Sequence, residues 1–258
     1  MKLKDIHPKT PILSLPRNYS QKESSQKFPV GLVAALAGMQ PQFVRRVLGL
    51  HDNLVSLADV LLLLDQDAFS ETFVPRSRIP SYLLSLPDGV PAGTLAPGED
   101  DHVILRGDAR TMIQQLCDES ISCVVTSTPY WGMRLYEDAV ETIWADGEVC
   151  VFGHEPTPEA FIRHSVELLY HLKRVMKKDG SIWWNLMDTY NTRTQIRTNA
   201  AEVLRAMKGK DSMSWKDHEC RRYSAGHSFL FDGEQCMIPA RVAERASRIG
   251  YYVKSIIH

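Results

Sequence analysis

The chain has 258 residues, of which 44% are hydrophobic and 24% charged, and a formal net charge of -1. That length suits one large or two modest domains with a substantial core, and the balance is that of a soluble globular protein rather than a fibrous or low-complexity one. The near-neutral charge argues against a protein that coats DNA, so any contact with nucleic acid must come from where the basic residues are placed.

No apolar run is long enough to cross a bilayer, and the opening MKLKDIHPKTPILSLPR lacks the continuous apolar segment of a secretory signal. A cytoplasmic protein is expected. The five cysteines, Cys117, Cys123, Cys150, Cys220 and Cys236, are odd in number and include no Cys-x-x-Cys pair. This favours reduced thiols over a disulfide framework or a zinc site. His218-x-Cys220 is half of a metal motif without a second half, and no metal is expected.

Residues 1–28, rich in Pro, Ser, Lys and Gln, read as an extended arm. From 29 to 86 the spacing turns helical, in PVGLVAALAGM, PQFVRRVLGL and SLADVLLLLDQ, with Gly38, Pro41 and Gly49 as punctuation and Ser56 as an N-cap. Arg45 and Arg46 on the middle helix suit either a helix-turn-helix unit set against DNA or a small packing module with solvated arginines, since no base-reading residue is identifiable. Residues 74–80, VPRSRIP, form a basic loop. Residues 87–101, PDGVPAGTLAPGEDD, are a Pro/Gly-rich linker where the domain boundary is placed.

The second region, 102–258, has the alternation of an α/β fold. HVIL (102–105) reads as a strand, Arg106-Gly107-Asp108 as a turn, and 109–116 as a helix that Asp108 caps. ISCVV (121–125) is a β-branched strand of the kind buried in parallel sheets, and it leads into Thr126-Ser127-Thr128-Pro129-Tyr130-Trp131. In open α/β sheets, ligands bind at such strand ends.

A helix is predicted over 158–178. Thr157 caps it, and Phe161, Val166, Leu169, Leu172, Val175 and Met176 form one face. Lys173, Arg174, Lys177 and Lys178 favour its C-terminal end electrostatically, and Gly180 stops it. SIWWNL (181–186) is the next strand. Because neighbouring parallel strands end on one side of a sheet, Asn185, Asp188 and Tyr190 are expected in the wall of the same site as Ser127. Residues 191–233 are polar and basic, with Arg193, Arg197, Lys208, Lys210, Arg221 and Arg222 as candidate DNA-binding residues. Such a segment is either a phosphate-binding arm or a solvated loop. A helix PARVAERASRIG and a strand YYVKSII complete the chain.

The hexapeptide resembles the Ser-Pro-Pro-Tyr motif of DNA amino-methyltransferases, particularly the β-order N4-cytosine enzymes of restriction-modification systems. HVILRGDARTMIQQL (102–116), GHEPTPEAFIRHSVELLYHLKRVMKKDGSIWWNLMDTY (153–190) and IPARVAERASRIGYYVKSIIH (238–258) resemble the flanking elements in the family's order. The resemblance implies a Rossmann-like sheet that uses S-adenosylmethionine and acts on double-stranded DNA, preceded here by a small all-helical N-terminal domain. It assigns catalysis to Ser127, Thr128, Pro129 and Tyr130, cofactor binding to Asp108, Thr126 and Asp188, and base stacking or the substrate wall to Tyr130, Trp131, Asn185 and Tyr190.

The chemistry suits those residue types. An exocyclic amino group is a poor nucleophile because its lone pair is conjugated into the ring. Two acceptors, the Ser127 hydroxyl and the Thr128 carbonyl, shift density back onto nitrogen, while Tyr130 stacks on a base swung out of the duplex. N6-adenine methylation and a non-catalytic DNA-binding subunit remain as alternatives. Thr128 stands where the family has its first proline, which leaves the loop less stiff. The family's glycine-containing cofactor motif is not found by His258. The expectation is therefore an incomplete sheet, completed by a missing C-terminal region or by a second polypeptide.

Overall fold

The computed structural model describes residues 19–87, 93–96, 98, 102–132, 139–191, 230–231, 233–255 and 257. Arg193, Arg197, Lys208, Lys210, Arg221 and Arg222 lie outside the described residues, as do Cys220 and residues 1–18.

Ser20 opens α1 (Gln21–Ser25) through a capping box with Glu23. β1 (Lys27–Pro29) then leads into α2 (Val30–Leu36) and α3 (Pro41–Leu48), which Gly49 closes in the left-handed conformation. β2 (Leu54–Ser56) pairs antiparallel with β1, and Ser56 caps α4 (Leu57–Leu64) in a second capping box, with Asp59. A 3-10 turn, Arg76–Arg78, leads into α5 (Ile79–Ser85). The expected arm over 1–28 is therefore corrected at its end, where residues 20–28 hold a helix and a paired strand, with Phe28 buried in the core. The strand's partner lies more than two dozen residues away, which local composition does not reveal.

The second half follows as α6 (Ala109–Gln115), β3 (Ile121–Ser127), the short hairpin strands β4 (Thr142–Ile143) and β5 (Val149–Cys150), α7 (Pro158–Val175), β6 (Met176–Asn185) and α8 (Ile238–Arg248). β3 and β6 pair in parallel, so β3, α7 and β6 make one β-α-β unit. α7 stops three residues earlier than predicted because Met176 is already extended, at φ -73° and ψ 136°, and pairs with Ile121. The ladder then slips before resuming at Cys123 and Ser181. Of the basic cluster at the end of α7, Lys177 and Lys178 are exposed, whereas Lys173 and Arg174 are used internally. Arg174 donates to the carbonyls of Ile113 (3.0 Å), Gln114 (3.3 Å) and Leu116 (2.9 Å) and pairs with Asp118, covering the open end of α6.

One buried cluster runs from Phe28, Leu36, Phe73 and Leu83 to Phe161, Val166, Val242 and Ile249. Phe73 stacks on Tyr170 at 4.9 Å, Arg245 donates to the Thr72 carbonyl at 3.0 Å, and the Tyr251 hydroxyl donates to the Leu169 carbonyl at 2.8 Å. The N-terminal helices and the α7/α8 layer thus share a core. The expected boundary at 87–101 divides the chain but not two separate cores.

Two predicted strands are not formed. Residues 102–105 and 251–255 have no strand structure, and Ile104 and Tyr252 are 94% and 85% exposed. A strand exists only with a partner. Among the described residues β3 and β6 have no neighbours beyond each other. Val125 and Trp183, facing each other across that ladder, are 80% and 58% exposed, although parallel sheets are ordinarily covered on both faces. Among the described residues no helix is long and apolar enough to cross a membrane.

Candidate active site

The TSTPYW segment begins inside β3, whose last residues are Thr126 and Ser127, and turns away at the strand's carboxyl end. Ser127 stands opposite Asn185 in the parallel register, so the ends of both strands converge as expected, and both residues are exposed. The Ser127 Oγ and Tyr130 hydroxyl lie 3.3 Å apart, joined by a hydrogen bond that either can donate. The site therefore faces solvent at the end of the sheet.

The neighbouring strand stiffens the loop. Trp184 on β6 donates its indole N–H to the Thr128 hydroxyl at 3.0 Å, a contact that a proline at position 128 could not accept. On the other side, the Gly132 N–H donates to the Gly153 carbonyl at 2.8 Å. Gly153 has φ +89°, and a Cβ there would lie 2.9 Å from the Pro129 Cβ and 3.4 Å from the Tyr130 carbonyl oxygen. Only glycine combines that conformation with so close an approach.

Trp131 corrects an expectation. It is 6% exposed and gives its indole N–H to the Glu155 carbonyl at 2.9 Å, so it packs beneath the loop and has no free face for a base. Its apolar bulk outweighs its place in the motif.

Behind Trp131 lies a buried charged cluster. His164 on α7 is fully buried, with Nδ1 3.0 Å from Glu155 Oε1 and Nε2 3.2 Å from Asp146 Oδ2, and its ring stacks on Trp144 at 4.1 Å. Arg163 donates to Asp146 (2.7 Å) and Glu148 (2.8 Å). Burial alone would discharge His164, but hydrogen bonds to Asp146, Cys150 and Glu155 outweigh it and raise the imidazole to about 10. Asp146 is held down to about 2, against its own burial, by His164, the Glu148 N–H and Arg163. Burial pushes the Glu155 carboxyl up, opposed by His164 and the Gly153 N–H.

Glu148, Cys150 and His164 place ligand-type atoms within 4.8 Å of one another. Both ring nitrogens of His164 already meet carboxylates, Nδ1 that of Glu155 and Nε2 that of Asp146, which is the arrangement of an ion-pair cluster. Cys117, Cys123, Cys150 and Cys236 are free thiols. Sequence reading missed the roles of Asp146, Glu155 and His164. The available signal was a histidine placed among the apolar residues of α7, three positions after Phe161.

The residues expected at a cofactor are each engaged by local partners. Asp108 caps α6 by accepting from the Arg110 N–H at 2.8 Å, and lies 3.4 Å from the Thr142 hydroxyl. Asp188 accepts from the N–H groups of Thr189 and Ile238, each at 2.9 Å, which satisfies the start of α8. Thr126 sits in the ladder beside Trp184, and Tyr190 is exposed in an isolated bridge to Gln235. Among the described residues no hydrogen bond joins Asp108 to Thr126 or Asp188.

Over 89 residues the chain is 37% identical to the Type II methyltransferase M.SmaI of Serratia marcescens, a stretch covering 34% of this chain and 27% of that protein. It is 36% identical over 89 residues to the Type II methyltransferase M.XycI of Xanthomonas campestris pv. cyanopsidis, covering 34% and 26%. It is 33% identical over 89 residues to the Type II methyltransferase M.Cfr9I of Citrobacter freundii, covering 34% and 26%. The matched stretch thus spans about a quarter of the length of these relatives. No protein-family model matches the chain, and no solved structure does. Over that stretch of about a third of its length, the chain is a relative of the Type II methyltransferases.

Proposed function

We propose that this chain carries the catalytic loop of a site-specific DNA methyltransferase that methylates the exocyclic N4 amino group of cytosine in duplex DNA. The observation that carries the reading is the solvent-facing Ser127–Tyr130 pair, 3.3 Å apart, at the carboxyl end of a parallel strand. The relatives' printed activity supports the reaction class. In this reading Ser127 Oγ and the Thr128 carbonyl accept the two amino protons, returning electron density to nitrogen. Tyr130 steadies Ser127 and stacks on the flipped base. The amino nitrogen is the nucleophile, so no cysteine is required and no covalent enzyme intermediate forms. Alignment of nitrogen with the methyl donor supplies much of the rate.

S-adenosylmethionine, when bound, supplies the methyl group. Asp108 and Asp188 are carboxylates of the right kind to accept from ribose hydroxyls or an ammonium group, and both already hold helix N-termini. Thr126 lies one residue before the catalytic serine. The exposed Val125–Trp183 face and, among the described residues, the unpaired outer edges of β3 and β6 support a further element of the proposal. Another block of protein, in cis or in trans, covers this sheet and completes the cofactor site. Arg193, Arg197, Lys208, Lys210, Arg221 and Arg222 are proposed to contact DNA phosphates.

The test is nucleoside mass spectrometry of DNA incubated with the complete enzyme and S-adenosylmethionine. N4-methylcytosine is expected. N6-methyladenine would move the reading to the other base, and no modified base would remove it.

A further inference from the structure

The charged cluster behind Trp131 is costly to bury and is not required merely to fill the core. Isolated ionised groups transferred from water cost several kcal/mol each, and such a pair seldom stabilises a fold more than apolar packing of the same volume. What the cluster achieves is geometric. Glu155 is tied at both ends: its Oε1 meets His164 Nδ1 at 3.0 Å, its Oε2 accepts from the Gly153 N–H at 3.0 Å, and its carbonyl accepts from Trp131. Phe152, on the same turn, stacks on Phe161 of α7 at 5.1 Å. The 152–155 turn is thereby fixed to the helix, and the turn in turn meets the catalytic loop at Pro129, Tyr130, Trp131 and Gly132.

We propose that His164 is a positioning residue. Gripped between Asp146 and Glu155, it holds the Gly153 turn against which residues 129–132 are moulded, and so sets the placement of Ser127 and Tyr130. That last step rests on the catalytic reading of the loop, whereas the clamp itself does not. The ionisable groups facing the ring are Asp146 from the 144–148 turn, Cys150 from β5 and Glu155, with Arg163 and Glu148 joined through Asp146.

The experiment uses the full chain with its tryptophans labelled with nitrogen-15, and Trp131→Phe to identify the Trp131 indole signal. His164→Asn and Glu155→Gln are each expected to shift that signal while the fold is retained. Glu155→Gln keeps an oxygen for the Gly153 N–H and removes the charge that His164 holds. In the complete enzyme both variants are expected to lower kcat on the order of 10- to 100-fold, the scale of misplacing reacting groups by about 1 Å, with KM for DNA little changed. A Trp131 signal unmoved in either folded variant overturns the clamp.

Should neither variant fold, nitrogen-15 spectra of wild-type histidine decide the matter. Both His164 ring nitrogens with the shifts of hydrogen-bonded positions, as donor or acceptor, support the clamp, and a ring nitrogen with the shift of an unbonded position overturns it. Loss of methyl transfer is read separately through Ser127→Ala. Full activity in that variant would remove the catalytic reading and leave the Trp131 result standing.

Discussion

Trp184 donates its indole N–H to the Thr128 hydroxyl, 3.0 Å away, across the β3–β6 ladder. The bond accounts for a departure from the Ser-Pro-Pro-Tyr pattern, because stiffness that a proline would supply through its ring comes here from a neighbouring strand. Thr128→Val and Trp184→Phe each remove one partner. Each is expected to destabilise the chain by about 1 kcal/mol. The double variant should cost less than the sum of the two, because the singles lose the same bond. Urea denaturation of the three variants checks this, and strict additivity would show that the contact contributes nothing.

Gly153 supplies the second support. With φ at +89° and Pro129 Cβ 2.9 Å from where a side chain would begin, Gly153→Ala is strained in conformation and in space. The expected loss is roughly 1–2 kcal/mol. Thermal denaturation reads it, and a variant as stable as wild type would contradict the described turn.

The buried cluster gives stability a definite pH dependence. Asp146 is held at about 2, below its ordinary 3.8, so its contribution is present above 3.8 and fades as pH falls toward 2. His164 is raised from 6.5 to about 10, so its contribution is full below 6.5 and fades as pH rises through 10. The urea midpoint should therefore be highest between these windows and fall on both sides. His164→Asn should flatten the alkaline limb, and an unchanged limb would assign it to other groups.

Asp188→Ala separates two roles. As the cap of α8 through the Ile238 N–H, Asp188 should be worth about 1 kcal/mol, read by denaturation. If it also meets the cofactor as proposed, the Kd for S-adenosylmethionine in the complete enzyme should rise by at least about tenfold, the equivalent of 1.4 kcal/mol. A stability loss with unchanged affinity would leave Asp188 with the cap alone.

Local signals were legible where the chemistry is local. Ser56, Asp108 and Thr157 cap the helices assigned to them, and Gly49 ends α3. The strand before TSTPYW and the convergence of Ser127 with Asn185 followed from β-branched patterning and the rule for parallel strands. What escaped was set by distant partners. β1 is defined by β2, residues 102–105 and 251–255 find no strand to join among the described residues, and Trp131 is claimed by Glu155 from 24 positions away. The only sequence trace of the ion pairs of His164 is a histidine on an apolar helix face, and that looks the same whether it packs neutral or clamps two acids.

The most direct measurement is transfer of tritiated methyl from S-adenosylmethionine to duplex DNA by the complete enzyme carrying Ser127→Ala or Tyr130→Ala. Removing the serine acceptor is expected to lower kcat on the order of 100-fold, the scale seen when one preorganised polar contact to a reacting group is lost. Removing the stacking ring is expected to cost about 1–3 kcal/mol in transfer efficiency. Unchanged turnover in both variants would contradict the assignment of this loop to the chemistry.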